Sequence, residues 1–178
     1  MTRDPATDSA ERRARQMVLT MQIITGGLMF GPLIFGAIAV IIAGDAPPQE
    51  GPVSLIGMAF FALSLLLYAI VPRFIGRSAV STVGKDRDAR EIGEPTRVDT
   101  GPEKRLPFYA AYQTRVIIGF ALLESAAFFN LVAYMFEHHW WSLSLAAVPV
   151  LIMMAAFPTP RKIDRWAETQ RQRVALNQ

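Results

Sequence analysis

Val116-Ile-Ile-Gly-Phe-Ala-Leu-Leu-Glu124-Ser-Ala-Ala-Phe-Phe-Asn130-Leu-Val-Ala-Tyr134-Met-Phe136 decides the fold. The stretch is apolar almost throughout and long enough to cross a hydrocarbon core as a helix, which takes about 20 residues. Its one ionisable group is Glu124. A carboxyl group in a bilayer is costly, and such groups have a partner or a task.

Three further runs of comparable character flank it. The apolar runs are 17–43, 53–71, 108–136 and 141–157, with Thr20, Gln22 and Thr25 the early interruptions of the first. Lipid offers backbone groups no partners, so spanning segments must be helices or closed barrels, and a barrel needs many short alternating strands. The expected fold is therefore all-α, a four-helix transmembrane bundle with a short amphipathic C-terminal helix. The chain divides into a tail 1–16, a first transmembrane hairpin 17–72, a loop 73–107, a second hairpin 108–157 and an interfacial helix 158–178.

Composition agrees with this class. Of 178 residues, 52% are hydrophobic and 19% charged, below the quarter usual in soluble domains. The charges are segregated rather than spread. Cysteine is absent, which excludes disulfides, iron–sulfur clusters and thiolate metal sites. The net charge of +3 does not point to nucleic acid, because topology accounts for the arginines.

Lysine and arginine set the direction. The tail carries Arg3, Arg12, Arg13 and Arg15. The loop carries Arg73, Arg77, Lys85, Arg87, Arg90, Arg97, Lys104 and Arg105. The C-terminus carries Arg161, Lys162, Arg165, Arg171 and Arg173. The connections 44–52 and 137–140 carry none. By the positive-inside rule both termini and the loop are expected in the cytoplasm of a bacterium, with the spans in its inner membrane. Arg115 lies at the cytoplasmic end of the third span, where it can snorkel. The run 17–43 exceeds a signal-peptide core and is expected to stay as a span.

Asp8-Ser-Ala-Glu11 reads as a capping box that starts a helix near Ser9, after a disordered beginning. The segment 78–107, rich in both charges and containing Pro95, Pro102 and Pro107, is too polar for a core and reads as a flexible linker in preference to a partner-binding segment. In the C-terminal helix Ile163, Trp166, Ala167 and Val174 fall near one face, among arginines. That pattern suits an interfacial helix on anionic headgroups, with Arg161, Arg165 and Trp166 as contacts. A protein partner could use the same face.

The chain looks duplicated. Gln22-Ile-Ile-Thr-Gly26 aligns with Arg115-Val-Ile-Ile-Gly119, and the register continues to Phe35 against Phe128. Pro72-Arg73-Phe-Ile75-Gly-Arg77 aligns with Pro160-Arg161-Lys-Ile163-Asp-Arg165, and Ser54-Leu with Ser142-Leu. Parallel repeats of this kind are related by an axis along the membrane normal. In this register Gly31 is the counterpart of Glu124.

The first span holds Gly26, Gly27, Gly31, Pro32 and Gly36. Gly27 and Gly31 form a G-x-x-x-G pair suited to close helix packing. Pro32 has no N–H and frees the carbonyl of Leu28. Ala121 and Ser125, one turn apart, form a second small-residue stripe. Asn130 and Tyr134 complete the intramembrane polar set, Asn130 reading as an interhelical hydrogen bond.

Glu124 has three readings: a neutral acid bonded to another helix, a proton or cation relay, or a ligand or subunit contact. Arg115 is about 13 Å away along the helix axis and on the opposite face, so it is not an intrahelical partner. The geometry favours a neutral Glu124 that faces the first span and donates a hydrogen bond there.

Gly119-Phe-Ala-Leu-Leu-Glu124-Ser-Ala-Ala-Phe-Phe-Asn130-Leu-Val-Ala-Tyr134 resembles the carboxylate-bearing helix of rotary ATPase c subunits, where Gly-x-Ala-Leu-x-Glu precedes a small residue and an apolar run. The resemblance implies that Glu124 would carry a proton or sodium ion. It covers about one helix; the long loop and the missing Arg-Gln-Pro-type loop depart from that family. As a whole the chain is more similar to small, uncharacterised four-span bacterial membrane proteins.

Glu137-His-His-Trp-Trp141 contains possible metal ligands, but adjacent histidines in a short turn seldom complete a site. An aromatic belt at the interface is the better reading. No P-loop, zincin helix, nucleophile elbow or dinucleotide fingerprint occurs in the sequence. The expectation is a non-enzymatic accessory or assembly component without cofactor or metal. Its partners would be the lipid bilayer and either a second copy or another membrane protein, and not nucleic acid. The alternative is a small proton or ion pathway at Glu124.

Overall fold

The computed structural model describes residues 5–44, 46–91 and 106–176. Five helices follow in chain order: α1 Pro5–Ala43, α2 Val53–Glu91, α3 Leu106–Glu137, α4 Trp140–Ala156 and α5 Pro160–Leu176. No strand occurs among the described residues. Three stretches are long and apolar enough to cross a membrane: Arg15–Ala43, Val53–Val71 and Tyr109–Glu137. The fourth candidate, α4, has 17 residues and qualifies only when counted with the helix after it.

Helix boundaries follow local chemistry. α1 begins at Pro5, earlier than the expected Ser9, because proline's fixed φ and missing N–H suit a first helical turn. The side chains of Asp8 and Glu11 lie outside the described residues. Gly44 ends α1 with φ +53, the left-handed conformation that closes helices, and its N–H donates to the carbonyl of Val40 at 3.2 Å. α3 turns into α4 through His138 and His139. His138 takes φ +54 and its N–H donates to the carbonyl of Tyr134 at 2.8 Å. α4 stops ahead of Pro158, and α5 starts at Pro160.

The linker reading of 78–107 is corrected over its first part. α2 continues to Glu91 as one helix of 39 residues. No proline occurs between Pro72 and Pro95, and Lys85-Asp-Arg-Asp-Ala-Arg-Glu91 consists mostly of residues that tolerate a helix in water. The remainder, 92–105, lies outside the described residues.

The chain forms two compact units. One comprises residues 1–22, 72–116 and 158–178. Its core is Met21, Tyr112 and Ile163, with Val18, Tyr109, Val116 and Trp166 packed against it. The other comprises residues 23–71 and 117–157. Here α3 supplies most of the interior: Phe120, Leu123, Ala126, Ala127, Asn130 and Leu131 are buried. Small residues at 126 and 127 allow neighbours close to the α3 backbone. Large apolar side chains of α1 and α2, such as Ile34, Ile41, Leu55 and Leu66, are exposed, as lipid-facing positions would be.

Within this second unit, positions paired by the sequence repeat meet each other. The rings of Phe35 and Phe128 lie 5.3 Å apart. The hydroxyl of Ser142 donates to that of Ser54 at 3.2 Å. Gly31 abuts the carboxyl group of Glu124.

Candidate functional site

Glu124 faces α1. A Cβ added to Gly31 would stand 3.1 Å from Glu124 Oε1 and 3.4 Å from Phe128 Cζ. Glycine at 31 therefore makes room for a carboxyl group and an aromatic edge. The expected hydrogen bond is not formed: no bond joins the Glu124 carboxyl to the carbonyl of Leu28 or to any other described residue. Glu124 is half-buried, so the group is partly open at the side of the unit.

The two small-residue pairs are used differently within the chain. Gly31 and Gly36 lie against α3 and Pro32 is buried, whereas Gly27 is exposed and a Cβ there would meet nothing within 4 Å. Within the chain, Glu124 and Phe128 meet the G-x-x-x-G pair at Gly31 and not at Gly27. Ala121 and Ser125 are exposed rather than packed. The Ser125 hydroxyl donates back to the carbonyl of Ala121 at 2.8 Å, satisfying itself within α3. Beside the half-buried Glu124, α3 thus presents two small side chains to whatever surrounds the helix.

Asn130 is fully buried. Its Nδ2 donates to the carbonyl of Ala126 at 2.9 Å and to that of Gly57 on α2 at 3.3 Å, while its Oδ1 has no partner. This is an interhelical polar contact of the kind that holds spanning helices together. Gly57 permits it, since a Cβ there would lie 3.0 Å from Oδ1. Phe60 and Phe129 stack beside it at 5.2 Å. Tyr134 does not join Asn130; it is half-buried and meets the His138 ring edge-on at 6.4 Å.

The sequence reading missed the role of Glu137. This carboxylate is 3% exposed and accepts the backbone N–H groups of Val53 at 2.6 Å and Ser54 at 2.8 Å. Its own carbonyl accepts the N–H of Gln49 at 2.9 Å. A helix start leaves N–H groups unsatisfied and favours negative charge. α2 follows Gly51-Pro52, neither of which offers a side-chain acceptor, so the cap comes from the end of α3 instead. That absent local cap was the available signal. Gly51 is required sterically: an added Cβ would run into Glu137 Oε1 and come within 2.9 Å of its Cδ.

The metal possibility gains no geometry. No group of three or more His, Asp or Glu side chains suited to a metal forms among the described residues, and Asp45 lies outside them. His139 stacks on Trp141 at 5.8 Å, and His138 Nδ1 is buried without a hydrogen bond.

Comparison of the chain with protein-family models, with curated proteins and with solved structures finds no match. Its function has to be argued from these contacts.

In the first unit, α5 does not present its apolar side outward. Ile163 and Ala167 are 1% and 4% exposed, with Ile163 against Met21 and Tyr112. Trp166 meets the Tyr112 ring at 5.3 Å. The Tyr109 hydroxyl donates to Asp164 Oδ1 at 2.7 Å, and Gln22 Nε2 donates to the carbonyl of Pro158 at 3.1 Å. Protein covers Ile163 and Ala167 of the face expected to lie on lipid, because Tyr109, Tyr112 and Met21 provide an apolar seat; the side chain of Val174 lies outside the described residues. Arg161 and Arg165 are exposed and Arg115 is half-buried.

Proposed function

We propose that the chain is a non-enzymatic integral membrane component of four spanning helices that works by docking a further membrane helix against α3 at Glu124. Both termini would lie in the cytoplasm of a bacterial cell. The observation that carries the reading is the Glu124 carboxyl group: mid-span, half-buried against Gly31, without a hydrogen bond to any described residue, and flanked by the exposed Ala121 and Ser125. In hydrocarbon such a group gains from a donor or acceptor on a neighbouring helix, and small residues beside it let that helix approach. The partner helix comes from a second copy or from another membrane protein.

Contacts between repeat-equivalent positions support a duplicated hairpin. A two-fold axis brings residues near it against their own counterparts, as Phe35 with Phe128 and Ser54 with Ser142. Glu124 opposite Gly31 breaks that symmetry at one level.

Native mass spectrometry of the protein in mild detergent tests the docking. Glu124→Gln keeps a hydrogen-bonding side chain and is expected to retain the assembly. Glu124→Leu is expected to weaken it about tenfold, the effect of losing one interhelical hydrogen bond of 1–2 kcal/mol. An assembly unchanged in Glu124→Leu, or a wild-type protein that stays alone, contradicts the reading.

The same unbonded carboxyl supports a second reading, a proton or ion pathway, because Pro32 frees the Leu28 carbonyl one turn from Gly31. In liposomes, that reading requires ion flux by the wild type and its loss in Glu124→Gln.

A further inference from the structure

With Ile163 and Ala167 covered by protein, the charged side of α5 is the side left facing outward. Arg161 and Arg165 are four residues apart and so share a helix face, nearly opposite Ile163. Both are exposed, as are Arg12, Arg13 and Arg15 of α1, which belong to the same compact unit. None of these five arginines forms an ion pair with a described residue. Within α5, Asp164 accepts from the Tyr109 hydroxyl.

Connectivity fixes the depth of these groups. Arg15 is the first residue of the first candidate span. Arg161 follows the last residue of α4 by five positions, so it cannot stray far from the end of that helix. In the four-span reading proposed above, both arginine groups stand where hydrocarbon gives way to headgroups. Guanidinium groups bind phosphate oxygens in pairs of parallel hydrogen bonds, which ammonium groups do not.

We infer that the arginine face of α5, with Arg12, Arg13 and Arg15, binds the phosphates of anionic lipid headgroups, and that this binding holds α5 on its seat of Met21, Tyr109 and Tyr112. The helix is a strap with protein on one side and headgroups on the other. This differs from an amphipathic helix that inserts its apolar side in lipid. The inference does not depend on a partner at Glu124.

Hydrogen exchange of the α5 backbone amides in reconstituted full-length protein tests it. Vesicles of pure phosphatidylcholine are compared with vesicles in which about a third of the lipid is phosphatidylglycerol, a charge density sufficient to attract juxtamembrane arginines. Exchange in α5 is expected to slow in the anionic vesicles, by about fivefold per arginine engaged. The double variant Arg161→Gln and Arg165→Gln should lose that lipid-dependent slowing. It should keep wild-type exchange in pure phosphatidylcholine, since Ile163 and Ala167 are untouched. Arg161→Lys with Arg165→Lys should retain part of it. Equal α5 exchange in the two vesicles overturns the inference, and so does undiminished lipid dependence in the glutamine variant. If inorganic phosphate added to phosphatidylcholine vesicles reproduces the slowing, the site takes a free anion and the lipid assignment is wrong.

Discussion

At the residue scale, two carboxyl groups on α3 do opposite things. Glu137 is engaged, holding the first N–H groups of α2, whereas Glu124 touches Gly31 and bonds to no described residue. Hydrogen bonds to a charged group contribute about 1.5–3 kcal/mol each to stability. Glu137→Ala should therefore lower the melting temperature in detergent, and Glu137→Gln, which keeps one acceptor, should lower it less. Gly51→Ala should cost about 1–3 kcal/mol by forcing the carboxylate off its donors. Because both changes strike one contact, the double variant should be less destabilised than the sum of the two. Strict additivity in thermal melts would show that Gly51 and Glu137 are not coupled. Glu124 could be found in the sequence because it is chemically isolated there. Glu137 could not, because its meaning depends on Val53 and Ser54, more than eighty positions away.

At the scale of elements, hydropathy located the apolar parts of α1 to α4 closely and misjudged what lies beyond them. The helix of α2 passes its apolar run and reaches Glu91, since backbone hydrogen bonds need no apolar face to continue. The amphipathic pattern of α5 was legible, but a pattern shows which face is apolar and not what covers it. Tyr112 and Met21 cover it here. Ile163→Ala should loosen α5 by about 2–4 kcal/mol through the cavity it leaves among these residues. Limited proteolysis should then cut within 160–176 faster than in the wild type, while sites in α4 stay protected. Equal rates would mean that α5 is not held by this seat. The small-residue stripes were also visible as stripes. Their use differed, because only contacts decide which glycine or alanine meets a neighbour.

At the scale of the molecule, the segregation of lysine and arginine carries the topology. With four spans the two termini share one side of the membrane; with three they do not. Reporter domains fused at Met1 and after Gln178 should therefore both be active in the cytoplasm, and one fused within 46–50 should not. The expected four-span bundle depends on α4, whose 17 residues are near the lower limit for crossing. The function proposed above depends on the outer side of α3 instead.

Cysteine cross-linking in intact membranes tests the docking at α3 most directly. The chain contains no cysteine, so each single substitution reports one position. Ser125→Cys, next to Glu124, should give a discrete adduct, of twice the chain mass for a second copy or of another fixed mass for a different partner. Ile41→Cys, at a side chain 79% exposed on α1, should give none. Adding Glu124→Leu to Ser125→Cys should reduce the adduct by up to about tenfold. No adduct at Ser125→Cys, or equal adducts at both positions, would contradict the account.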